Sequence, residues 1–127
     1  MNTQIIQDWI NEGIELNLPA TILEITNCEA EIGFSFPEDF KRFYKTCNGF
    51  KDWVMDSKLL SLWPLEKIIA DYQHINFIPF CDYLANGSQI GFIKNQLGIY
   101  KNYDQSLICN TFDEFLDHWK KETNEYF

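Results

Sequence analysis

Phe34-Ser-Phe-Pro-Glu-Asp-Phe-Lys-Arg-Phe-Tyr-Lys-Thr-Cys-Asn-Gly49 decides the fold, because a short helix, both its ends and its buried face are written in it. Ser35 and Glu38 have the S-x-x-E spacing of a capping box, and Pro37 stands where a first helical turn tolerates proline. Phe36, Phe40, Phe43, Tyr44 and Cys47 fall on one helical face. Asn48 and Gly49 supply the stop, since glycine enters the left-handed conformation without penalty. No catalytic group stands out on this helix.

Upstream, Ile5, Ile6, Trp9, Ile10 and Ile14 form the apolar stripe of a helix over about Thr3 to Leu16. Pro19 is placed to open a second helix running to about Glu31, which Gly33 breaks. Downstream the pattern changes. Trp53-Val-Met-Asp56 and Leu59-Leu-Ser-Leu-Trp63 read as short strands, and Pro64 opens a helix over Leu65 to Gln73. Asn76 to Cys81, Ser88 to Ile93 and Gly98 to Tyr103 are β-branched or aromatic. Turn formers separate them, among them Ala85-Asn-Gly87. Short connections favour antiparallel pairing, and Pro79 calls for an edge position or a bulge. Thr111-Phe-Asp-Glu114 is a second capping box, and Phe112, Phe115, Leu116 and Trp119 follow at i, i+3, i+4 and i+7. Helices, then strands, then a closing helix predict a single α+β domain over residues 1–127.

Acidic residues outnumber basic ones by 19 to 10, a net charge of −9, so a basic footprint for nucleic acid or an anionic membrane is not expected. The excess serves solubility through self-repulsion, or it steers the protein toward a basic partner. The N-terminus lacks the basic start and apolar run of a signal peptide, and no apolar stretch is long enough to span a bilayer. Cys28, Cys47, Cys81 and Cys109 are scattered through apolar neighbourhoods without a C-x-x-C or zinc spacing. A reduced, cytoplasmic protein is expected.

His74 and His118 are the only histidines, and no triad or metal-binding spacing accompanies them. Gly87-Ser-Gln-Ile-Gly91 matches no phosphate-binding pattern and reads as a turn entering a strand, with a bulge at Gly91. No catalytic residue, metal or cofactor is expected, and no direct contact with nucleic acid. Two groups of side chains do point to a partner. Asp52, Asp56, Asp71, Asp82 and Asp104 lie mostly in loops around the predicted sheet, and Trp53, Tyr83, Tyr100 and Tyr103 lie near the same loops. Rings among carboxylates suit a protein interface, where aromatics anchor and charges select. The competing reading is that the rings are core and the acids merely solvated.

Taken in order, these segments resemble the SUKH superfamily, which includes the fungal cell-wall-assembly regulators. Phe36 to Gly49 is similar to its "leucine-proline, acidic, then Asn-Gly" helix, with Phe36 in place of the usual leucine. Leu60 to Ile68 resembles the strand-to-helix segment that follows, Phe77 to Asp82 through Ile90 to Phe92 its central hairpin, and Gly98 to Tyr100 its next strand. Thr111 to Leu116 resembles its closing helix. One departure is visible: Ser88 follows Gly87 where members often carry a Gly-Asp pair. The resemblance covers about Ile32 to Lys121. It implies a twisted, mainly antiparallel sheet packed against N-terminal helices and a C-terminal helix. It also implies an immunity protein that neutralises a cognate bacterial toxin by stoichiometric binding, the toxin being basic and often a nuclease or other nucleic-acid-modifying enzyme. The alternative it implies is a regulatory scaffold for an endogenous partner.

Overall fold

A computed structural model describes residues 3–84, 87–121 and 127. The first apolar stripe forms α1 (Thr3–Asn11), shorter than predicted. Gly13 turns the chain with a left-handed φ of 87°, and the next residues leave in extended form. Leu16 bridges Phe50 antiparallel, and the Asn17 and Lys51 amides donate to the Gly49 and Glu15 carbonyls at 3.0 and 2.9 Å. Helix α2 (Ile22–Ile32) starts beyond Pro19, because Thr21 and Glu24 make a reciprocal capping box, and Gly33 ends it at φ 63°.

The quoted stretch forms α3 (Glu38–Tyr44), but without its predicted capping box. Pro37 itself holds the cap position, so Ser35 lies too far upstream to reach the first free amides. Within the first turn the Phe40 amide donates to the Asp39 carboxylate at 2.8 Å, and ahead of the helix the Phe36 amide donates to Glu29 of α2 at 2.7 Å. Asn48 does not end α3. Its side-chain Oδ1 accepts from the Leu65 amide at 2.9 Å and so starts α4 (Leu65–Ala70). Gly49 is needed twice over: its φ is +76°, and a Cβ there would sit 2.5 Å from the Pro64 nitrogen. The strand predicted at Trp53 to Asp56 is instead a 3-10 turn (Lys51–Trp53), with Asp52 and Trp53 at φ 56° and 57°.

Strands β1 (Leu60–Leu62), β2 (Phe77–Tyr83), β3 (Ser88–Ile93), β4 (Ile99–Lys101) and β5 (Leu107–Cys109) form a five-stranded antiparallel meander in sequence order. The last strand was not anticipated; its three residues are too few to carry a pattern. Pro79 sits at a bulge, as its chemistry requires, yet in an interior strand. It is tolerated because the β2–β3 register shifts between Pro79 and Cys81, so the regular ladder is already broken there. Of the predicted turn at Ala85 to Gly87, Ala85 and Asn86 lie outside the described residues.

Helix α5 (Phe112–Trp119) buries Phe112, Phe115, Leu116 and Trp119, as predicted, and begins with Thr111 accepting from the Glu114 amide, one half of the expected capping box. Phe40 of α3 stacks on Phe36 and Tyr44 at 4.3 and 4.2 Å and meets Phe112 edge-on at 5.0 Å. Phe80 of β2 joins the same cluster through Phe112 and Phe115. Burial of each such ring is worth about 1.5–3 kcal/mol, and edge-on contacts add specificity of orientation. The molecule is therefore an α+β fold whose twisted sheet is bound to its helices by stacked aromatics. All four cysteines are free and buried, and loss of solvation pushes the Cys28 and Cys109 thiols up to about 12.

Candidate functional site

Asp56 separates from the other predicted site residues. It is 5% exposed, and it accepts from the Trp119 indole at 2.6 Å and from the Lys58 and Leu60 amides at 3.0 and 3.1 Å. Burial pushes its carboxyl above the ordinary aspartate value, against the pull of those donors. The expectation that Asp56 greets a partner is corrected: it ties the loop before β1 to α5.

Trp53, Asp71 and Asp82 come together around a residue not singled out from sequence, Lys67. One turn of α4 places Lys67 and Asp71 on one face, and their charges meet at 2.7 Å. The Lys67 ammonium also lies 4.4 Å from the Trp63 ring centroid and 5.0 Å from that of Trp53. Asp82 stands beside Ser61 across the β1–β2 pair. Burial raises its carboxyl, offset by the Trp63 indole and the Lys67 charge. The Trp63 ring is buried, whereas Trp53 is 62% exposed.

Beyond Trp53 the surface dips into a concavity of about 510 Å³. Phe50 and Pro64 line it together with Glu15, Asp52 and Glu66. Glu15 arrives through the Leu16–Phe50 bridge and Glu66 through the first turn of α4. Neither was legible as a site residue, since the pairing that gathers them spans more than thirty positions (50 − 16 = 34).

The tyrosines lie elsewhere. Tyr83 and Tyr103 line a second concavity of about 520 Å³ whose charged wall is Lys101. Asp104 next to it is occupied locally: its carboxylate accepts from the Ser106 amide and hydroxyl at 3.0 and 2.8 Å, which pulls the carboxyl below its ordinary value. Tyr100 donates to the Leu97 carbonyl at 2.5 Å and braces the β3–β4 turn. A third, apolar groove of about 610 Å³ lies between Phe34, Phe92, Leu97 and Phe112. Its carboxylate, Asp39, already accepts from the amides of Phe40 and Asp113. Among the described residues, no group of three or more His, Cys, Asp or Glu is placed to hold a metal ion, and no helix is long and apolar enough to cross a membrane.

Residues 19–118 match the SMI1 / KNR4 family (SUKH-1). The chain belongs to that family. Comparison with curated proteins returned no match. The SUKH-1 span begins ahead of α2 and runs into α5, so it contains the sheet, Trp53, Lys67, Asp71 and Asp82. Helix α1, Glu15 and Asn17 precede it, so this SUKH-1 chain completes the concavity beside Trp53 with two residues from outside the matched span.

Proposed function

We propose that this protein is an immunity protein, which binds and neutralises a cognate bacterial toxin by one-to-one association and catalyses no reaction. The observation that carries the reading is Trp53: a large indole, 62% exposed, standing among carboxylates on a chain of net charge −9. Exposed aromatics of this kind act as interface anchors, and the surrounding acids select a basic partner. A toxin that cuts or modifies nucleic acid presents a positive channel. An acidic protein reaches such a channel quickly and covers it. Membership in SUKH-1 supports the reading, because the toxin-immunity proteins that the chain resembles fall in the same superfamily. The association takes place in the cytoplasm, where such a toxin meets its substrate.

The test is co-expression with the toxin encoded beside this gene. Cells survive and a one-to-one complex is isolated if the reading holds, and the complex weakens as salt is added. Unrescued cells together with no complex sink it. A complex with an endogenous regulator in place of the toxin would turn the same surface to the scaffold role.

A further inference from the structure

We propose that the concavity beside Trp53 is a socket for one arginine side chain of the basic partner. The inference rests on the immunity reading for the identity of that partner, and it specifies what the partner inserts. Three features carry it. The socket has three carboxylates, Glu15, Asp52 and Glu66, against one ammonium, Lys51, so its charge favours a cation. Its accessible apolar surface is the Trp53 ring, 62% exposed, which suits the flat face of a guanidinium, while Phe50 and Pro64 are buried and form the floor behind it. The protein also supplies its own example of the contact: the Lys67 ammonium already lies 5.0 Å from the Trp53 centroid. Lys67 is 16% exposed and neutralised by Asp71 at 2.7 Å, so it adds little repulsion toward an incoming charge.

The walls are set before any partner arrives. The Leu16–Phe50 bridge holds Glu15 beside Lys51. Asn17 donates to the Asn48 and Phe50 carbonyls at 3.0 and 3.2 Å. The tight seat of Gly49 against Trp63 and Pro64 fixes the segment to α4. A rigid receptor loses little freedom on binding. The Trp53 turn itself carries Asp52 and Trp53 at positive φ. Of the two further concavities described above, one has Lys101 as its charged wall, and the other is apolar with its carboxylate already occupied.

The experiment titrates the isotope-labelled full chain with acetyl-glycyl-arginyl-glycine amide, followed by amide and indole resonances, with the lysyl peptide as comparison. Shifts confined to the Trp53 indole and to Glu15, Asp52 and Glu66 are expected, with the arginyl peptide bound several-fold tighter. The double variant Glu15→Gln, Glu66→Gln and the variant Trp53→Ala should each abolish those shifts while the remaining resonances keep their positions. With the toxin, Trp53→Ala should raise Kd by about tenfold or more. Shifts spread over the acidic surface, shifts centred on Tyr83 and Tyr103, or no shifts overturn the socket. So does a toxin that binds Trp53→Ala as tightly as the unchanged chain, and that result leaves the immunity reading standing. A socket that titrates in a chain with no affinity for the toxin does the reverse.

Discussion

At one end of the molecule the Trp119 indole donates to Asp56 at 2.6 Å, with both side chains buried between α5 and the loop before β1. At another, Trp53 stands in solvent beside a lysine whose charge is answered by Asp71. The two regions use the same residue types, tryptophan with aspartate, and differ in what surrounds them. Trp119 is packed by Trp9, Phe50 and Phe115, which shut its N–H off from water, and Asp56 supplies the partner. Trp53 has no such obligation and rests on a turn that the backbone adopts at a cost. The contrast separates an aromatic–acid pair that holds the fold from one left available for binding.

Replacing Trp119 with alanine strikes the first region hardest. It removes a core indole and strips Asp56 of its shortest hydrogen bond, so chemical denaturation should show a loss of about 3–5 kcal/mol. Asp56→Asn is milder but still costly. Three donors converge on the carboxylate, and an amide turns an N–H₂ toward one of them, for a loss of about 1–3 kcal/mol by the same measurement. A near-neutral result for either would place the pair outside the stabilising core.

Trp53→Gly should do the opposite in the second region. Relief of the left-handed backbone is worth about 1–2 kcal/mol and the added freedom of glycine costs part of it, so stability should stay level or rise by about 1 kcal/mol or less. Toxin binding should weaken at the same time. Gain in one assay with loss in the other is the signature of a residue kept for contact; parallel losses would make Trp53 structural.

The smallest effect concerns pH. Burial raises the Asp82 carboxyl above its ordinary value, so the folded state keeps a proton that the unfolded chain releases. Its contribution is fully present below the ordinary aspartate range and is lost as pH rises through the raised value. Asp82→Asn should flatten that part of a stability-versus-pH curve. A steeper curve would reverse the assigned direction.

Much of the frame was legible from local chemistry. Thr111 and the Phe112, Phe115, Leu116, Trp119 spacing describe α5 well, since cap and stripe lie within nine consecutive residues. Ser35 misled because Pro37 took the cap, and the true partner of the Phe36 amide, Glu29, comes from another helix. The second site pair was half visible: Trp53 and Asp71 stood out as residue types, while Lys67 was signalled only by its i, i+4 relation to Asp71. Asp56 looked like the other loop acids because its burial depends on Trp119, sixty-three positions away. Glu15 was hidden for the same reason, its place being fixed by pairing across the Leu16–Phe50 bridge.

The central claim is that this chain acts by covering another polypeptide. Calorimetric titration of the purified chain into the toxin encoded beside it, with residual toxin activity assayed at each point, tests that most directly. The account predicts saturation at one copy per toxin, with activity falling in step and returning when the complex is dissociated by salt. Full toxin activity in the presence of excess chain, or inactivation by a small fraction of an equivalent, would contradict it.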